Sequence, residues 1–314
     1  MASSPATLRY LFDLRGYAVI RGAFSAAEIQ AANQAVDHHK LDFKERVEPA
    51  LRNTSATSSR AGDGSSGRQD MGGMLGWEKP HCEPFRNILA HPKLVPVLHD
   101  LIGEGYRLDH SPLVIQQSAG AEGFDLHGGP LNAKGKMNPA LQYRCENGEI
   151  WNSLVAVSVQ LTDQPAGAGG FCVVPGSHKS NFVTPPELMR GDCSDEDLLD
   201  VVVEPVTKAG DVIIFSEASV HGCLAWKEKT FDRRIALYRF APGNMAFARG
   251  YSEGWPESFL EGMTEAQQAV MLPPFNSYLE RPCLSDEDAT VGKRNTRSKE
   301  KKEFDREVFG AAFY

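Results

Sequence analysis

The rhythm of apolar and polar positions changes near Tyr106. Ahead of it, apolar residues recur mostly at helical spacing. Leu8 to Gly22 reads as a short helix running into a strand, Tyr17–Ile20, bounded by Gly16 and Gly22. Ser25-Ala-Ala-Glu28 is a capping box, in which each side chain satisfies the other residue's backbone N–H. It predicts a helix to about His39, with Ile29, Ala32 and Val36 on one face. His81–Leu101 predicts another, burying Phe85, Ile88, Leu89, Leu94, Val97, Leu98 and Leu101. Between these helices, 53–73 is rich in Ser, Gly, Thr and Asp, with little to bury, and reads as a mobile loop or lid.

Beyond Tyr106 the texture is β. Leu113–Gln117, Ser153–Leu161, Gly170–Val174, Val201–Val206, Asp211–Phe215 and Arg234–Phe240 are strand-like runs divided by Gly, Pro, Asp and Asn. Short strands in succession, without helices between most of them, predict a mainly β sandwich or barrel with flanking helices. After Phe240 the chain is irregular, except for a short helix opened by Thr264, over Thr264–Met271, and stopped by Pro273-Pro274. A charged, exposed stretch over 286–306 leads to an apolar end, Phe309–Tyr314. No internal repeat or interdomain linker interrupts this. The expected organisation is one domain over 1–314: a helical N-terminal part (about 8–105), a β core (about 106–242) and an extension (about 243–314).

Composition narrows the function classes. Of 314 residues, 41% are hydrophobic and 24% charged, as in ordinary globular proteins. A net charge of -8 argues against nucleic acid or an anionic membrane as partner. No apolar run reaches the ~18 residues of a membrane span. The six cysteines (82, 145, 172, 193, 223, 283) have no regular spacing and the N-terminus no signal-like apolar region, so an intracellular, cytoplasmic protein with reduced thiols is expected. Ser-His-Asp, P-loop and Rossmann patterns are missing from the sequence.

The positions with chemistry are few. His127 closes Phe124-Asp-Leu-His127 ahead of Gly128-Gly129-Pro130, and His221 follows the apolar run Val212–Phe215. Strand ends distant in sequence meet at the mouth of a rolled sheet, and two imidazoles with open positions suit non-haem Fe(II), which a carboxylate normally completes. Residues two apart on a strand share a face. The carboxylate is therefore expected at 129, where glycine stands; Asp125 lies two positions to the other side and is a candidate third ligand. Arg233 and Arg234 alternate faces, so one can grip a carboxylate from within and the other meets solvent, with Asp232 or Glu228 as partner. His38 and His39 read as a solvated helix end. His81, His91, His99 and His178 read as structural or solvated, and Lys134, Lys136 and Arg144 as solvated loop charges.

Taken together, Gly16–Gly22, Leu161–Lys179, Gly210–Phe215 leading to His221, and Arg233–Tyr238 resemble the phytanoyl-CoA dioxygenase-like family over roughly residues 8–240. The resemblance implies a double-stranded β-helix, the jelly-roll or cupin-like barrel. It also implies Fe(II), 2-oxoglutarate and O2 as cofactors and co-substrates, for oxidation of a small organic molecule with release of succinate and CO2. Residue by residue, His127 matches the first iron ligand, His221 the distal one, and Arg233 the oxoglutarate-binding arginine, with Arg234 as the alternate. The family's His-x-Asp motif here reads His127-Gly128-Gly129. Iron halogenases of the wider superfamily carry Gly or Ala at that position and place chloride there. Three outcomes stay open at this point: a hydroxylase using Asp125, Glu122 or water as the third ligand, a halogenase, and a non-catalytic binding protein.

Overall fold

A computed structural model describes residues 4–55, 57–191, 200–247, 254–275, 280–293 and 297–310. The N-terminal part runs α1 (Pro5–Arg15), β1 (Tyr17–Ile20), α2 (Ala26–His38), β2 (Lys44–Glu45), β3 (Gln69–Gly72), α3 (Glu83–Leu89) and α4 (Val95–Ile102). The core follows with β4 (Arg107–Leu108), β5 (Leu113–Gln117), β6 (Phe124–His127), β7 (Tyr143–Glu146), β8 (Glu149–Asn152), β9 (Val155–Gln160) and β10 (Gly170–Val173). Next come α5 (Pro186–Arg190), β11 (Val212–Ser216), β12 (His221–Leu224) and β13 (Arg233–Ala241). The remainder holds α6 (Glu257–Leu260), α7 (Glu265–Met271), β14 (Pro282–Leu284), β15 (Val291–Lys293) and α8 (Lys299–Phe309).

Two antiparallel sheets dominate. The large one is ordered β1-β11-β9-β13-β5-β3-β2, with β4 also paired to β13; the small one is β10-β12-β6. This is the mainly β fold with flanking helices that the sequence predicts, arranged as two sheets rather than a closed barrel among the described residues. Strand alternation divides its interior. Val155, Val157, Val159, Val212, Ile214, Ala236, Tyr238 and Phe240 point outward into a core shared with the helices. Ala156, Ile213, Phe215, Ile235 and Leu237 point inward and meet Phe171 and Val173 of the small sheet. Central strands are thus covered on both sides, and all six residues of β9 are buried, Ser158 and Gln160 included.

The predicted capping box forms at Ser25–Glu28, and the helix that Thr264 opens carries a second, Thr264–Gln267, each worth about 1 kcal/mol of helix stability. The predicted helix over His81–Leu101 is instead broken into α3 and α4. Pro92 disfavours helical backbone at His91, and the His91 ring accepts the Lys93 N–H at 3.3 Å. Val201–Val206 makes one isolated bridge, Val203 to Val173, since Pro205 has no N–H for a ladder. The lid expected over 53–73 is built structure: β3 pairs with β5, and Arg60 is wholly buried. β1, β2 and β3 carry the N-terminal third into the large sheet. Cys82, Cys145, Cys172, Cys223 and Cys283 are free thiols, while Cys193 and most of the apolar end, 311–314, lie outside the described residues. No helix among the described residues is long and apolar enough to cross a membrane.

Candidate metal and keto-acid site

β12 lies between β10 and β6, and its register sets His221 directly opposite His127. Their ring centroids are 4.2 Å apart. Each ring is oriented by its own strand: His127 Nδ1–H donates to the Asp125 carbonyl at 3.0 Å, and His221 Nδ1–H to the Ser219 carbonyl at 2.8 Å. This tautomer leaves each Nε2 with a free lone pair, the usual preparation of a metal-binding imidazole. Burial lowers the pKa of His127, and burial together with the neighbouring His127 takes His221 down to about 3. Both rings are neutral at pH 7, the form that ligates.

A carboxylate completes the cluster from a position the sequence reading passed over. Glu217 lies in the turn between β11 and β12, with Oε2 3.6 Å from His221 Nε2. Donor atoms of His127, Glu217 and His221 all fall within 4.8 Å of one another. Burial pushes the Glu217 carboxyl up. Arg239, whose Nε donates to Oε1 at 2.5 Å, and the two histidines outweigh that and hold it at about 2. The signal available in the sequence was a charged residue inside the otherwise apolar and small run from Val212 to Val220.

Asp125, the carboxylate that strand alternation favours, goes elsewhere. Its Oδ1 accepts from Arg60 Nε and Ser58 Oγ, each at 3.2 Å. The reason is a register shift. Phe124 pairs with Cys223 and His127 with His221, three steps on β6 against two on β12. Such a bulge upsets alternation, and Phe124 and His127 both line the cavity despite their odd spacing. Glu122, also considered, is fully buried and pairs with Arg52 at 3.0 Å.

The two glycines that follow His127 have a role in this arrangement. Both adopt positive φ, +94° at Gly128 and +95° at Gly129, which disfavours any side chain. A Cβ on Gly128 would stand 2.3 Å from the Ser219 carbonyl oxygen and 3.0 Å from that of Glu217. Gly129 N–H donates to the Ala218 carbonyl at 3.1 Å. The absence of a side chain at Gly128 lets the 217–219 turn close on β6 and carry Glu217 to the histidines.

His127 and His221 open into a cavity of about 260 Å³ between the sheets. Its walls include Ile115, Phe171 and Phe215, and its charged residues are Arg46, Arg68, Arg233 and Arg239. Arg233 is 1% exposed. Nη1 donates to Gln117 Oε1 at 2.7 Å and Nε reaches Gln164 Oε1 at 3.3 Å, while Nη2 is buried without a hydrogen-bond partner. A buried guanidinium held by neutral amides lacks several kcal/mol of compensation, which an incoming carboxylate supplies through paired N–H···O bonds. Arg234 faces the other side of the sheet. It donates to Gln116 and, at 2.7 Å, to Asp37 of α2 rather than to Asp232 or Glu228. Lys134, Lys136 and Arg144 are exposed and outside the cavity, and His178 is a buried turn residue contacting the Asp13 carbonyl at 3.0 Å.

Two neutral imidazoles with an ionised carboxylate beside them, and a buried, under-compensated arginine in the cavity the imidazoles line, make a donor set suited to non-haem iron and a keto-acid. The phytanoyl-CoA dioxygenase (PhyH) family model matches residues 12–234. The chain belongs to that family, whose members are non-haem iron, 2-oxoglutarate-dependent enzymes. Among solved structures it is similar to HygX from Streptomyces hygroscopicus with nickel and 2-oxoglutarate bound. That match has 20% identity and a TM-score of 0.61, over 79% of this chain and 90% of the other. It is also similar to the epimerase SnoN in complex with Fe3+, alpha ketoglutarate and nogalamycin RO, at 16% identity and a TM-score of 0.54, over 87% and 97%. AviO1 from Streptomyces viridochromogenes Tue57 matches at 15% identity and a TM-score of 0.53, over 79% and 100%. At these identities the likeness is one of fold. No curated protein matches the chain.

Proposed function

We propose that the protein hydroxylates, or otherwise oxidises, a small organic substrate, with Fe(II) held by His127, His221 and Glu217 and 2-oxoglutarate held by Arg233. The observation that carries this reading is the convergence of three donor side chains at the edge of a cavity that both histidines share with Arg233, whose Nη2 is buried without a hydrogen-bond partner. When bound, iron and keto-acid supply the oxidising power, with O2 consumed and succinate and CO2 released. The protein's own residues orient and shield. Nδ1 hydrogen bonds hold both imidazoles in the ligating tautomer, Arg239 keeps Glu217 ionised and aimed, and Phe171 and Phe215 exclude water. Arg46 and Arg68 both pair with Asp70, at 2.6 and 2.7 Å, so two cations at the cavity share one anion. That excess positive charge favours a substrate bearing an anionic group.

Glu217 also favours hydroxylation over halogenation. With a carboxylate already presented to the two histidines, the glycine at 129 does not leave a chloride-sized position in the ligand set. The test is an anaerobic titration of metal-free protein with Fe(II) and then 2-oxoglutarate, following the visible charge-transfer band of the chelate. The expected result is a band that is lost in His127→Ala and His221→Ala and unmoved by chloride. A chloride-induced shift would favour the halogenase, and absence of a band would favour a binding protein without this chemistry.

A further inference from the structure

We propose that His38, His39 and His81 form a second metal site, for a divalent transition-metal ion of the zinc type, on the outer side of the large sheet. α2 ends at His38 and is capped by His39; His81 belongs to the turn that precedes α3. One donor nitrogen from each of the three rings lies within 4.8 Å of the others. Nitrogens about 2.0–2.1 Å from a tetrahedral zinc are about 3.3 Å apart, so each ring needs to close by less than about 1 Å. Ring centroids are separated by 5.0 Å for His38–His39, 5.5 Å for His39–His81 and 4.1 Å for His38–His81.

The surroundings are those of a ligand site rather than of solvated side chains. His39 Nδ1–H donates to Asp42 Oδ2 at 3.2 Å, the carboxylate–histidine pairing that fixes a ring with Nε2 as acceptor. His39 Nε2 is buried with no hydrogen-bond partner, and so is His81 Nδ1. Two buried, unpartnered ring nitrogens within one three-histidine cluster are costly unless something binds them. Trp77 stacks on His39 at 4.0 Å and 10°, closing one side and holding the ring. Three imidazole nitrogen donors, with no carboxylate among them, select zinc, nickel or copper over magnesium or calcium.

The site is distinct from the cavity. Asp37, the residue before His38, pairs with the outward-facing Arg234, which places this end of α2 across the large sheet from Arg233. An ion here would staple α2 to the turn before α3. The segment leaving His39 leads through β2 to Arg46, so the same staple would steady one cation of the cavity.

The test is a titration of metal-free, full-length protein with Zn2+ against a chromophoric chelator. Tryptophan emission is followed in parallel with Cu2+, which quenches an indole stacked on a ligating ring. Wild type should bind two equivalents, His81→Gln and His38→Gln one each, and the His127→Ala/His221→Ala double variant one. Cu2+ quenching should survive in that double variant and fall at least tenfold in midpoint affinity in His81→Gln. His38 is exposed, so its variant tests the site without disturbing packing. A stoichiometry unchanged in both glutamine variants, or quenching abolished only by the cavity variants, overturns the proposal.

Discussion

Two clusters of imidazoles stand on opposite sides of the large sheet, and each brings three donor atoms within 4.8 Å. They differ in what surrounds them. In the cavity cluster His221 is 3% exposed, both rings are fixed by backbone carbonyls, and the third donor is a carboxylate locked by Arg239. At the end of α2, His38 is exposed, one ring is fixed by Asp42, and all three donors are imidazole nitrogens. Spacing alone therefore does not distinguish a catalytic centre from a structural one. Charge and enclosure do: an anionic ligand beside a cavity containing a buried arginine suits redox chemistry on a chelated keto-acid, whereas three partly exposed imidazoles suit a staple.

The contrast is broken most severely by His221→Ala. It should lower 2-oxoglutarate consumption at least 1,000-fold, about 4 kcal/mol of barrier, and abolish the charge-transfer band. Arg233→Met comes next. It should raise the KM for 2-oxoglutarate about 100-fold through loss of the paired charge-assisted hydrogen bonds, while Fe(II) binding persists by calorimetry. Unchanged KM would remove Arg233 from the keto-acid pocket.

Glu217→Gln should weaken Fe(II) binding by about 10- to 100-fold. Gly129→Asp, which rebuilds the family motif, should not rescue it. At φ +95° a side chain costs about 1–3 kcal/mol, so that variant should also unfold at lower urea. Recovery of iron binding in the Gly129→Asp, Glu217→Gln double variant would instead show that the ordinary motif position is usable.

Acid should act on the cavity cluster in a fixed order. His221 has a folded pKa near 3 against an ordinary 6.5, so the unfolded chain takes up its proton first and metal-free stability falls as pH drops from 6.5 towards 3. Glu217, held near 2 against 4.5, stabilises the fold above 4.5, and that contribution is lost as pH falls from there towards 2. Urea midpoints at pH 7, 5.5 and 4 should decline, with a steeper fall below 4.5. A flat profile contradicts both shifts. The smallest effect belongs to Arg234→Met, where a partly exposed pair with Asp37 is lost: under about 1 kcal/mol of stability and no change in the KM for 2-oxoglutarate.

Much of this was legible beforehand because it rests on local rules. The capping box at Ser25, the apolar runs of β5, β9, β11 and β13, and the histidine and arginine types of an iron and keto-acid site are statements about neighbouring residues and side-chain chemistry. What was not legible depended on register. Alternation on β6 points to Asp125 or position 129, but a bulge opposite His221–Cys223 breaks the count. Arg60 then binds Asp125, and the turn after β11 brings in Glu217. The segment 53–73 looked like a lid because it is poor in apolar residues. It is held instead by charge and backbone pairing, through Arg60 and β3, which composition does not register. The β7–β8 hairpin turns at Asn147-Gly148, a dipeptide that favours such a turn through residue type alone.

By itself the sequence determined the helix capped at Ser25, the main strand runs, and the residue types available at His127, His221 and Arg233, since these follow from residue type and short-range periodicity. Only the tertiary structure decided which carboxylate meets the histidines, which arginine faces the cavity, and that His81 joins His38 and His39. Those outcomes depend on pairing register and on approaches between residues far apart in the chain, where a one-residue shift redirects a side chain to the other face.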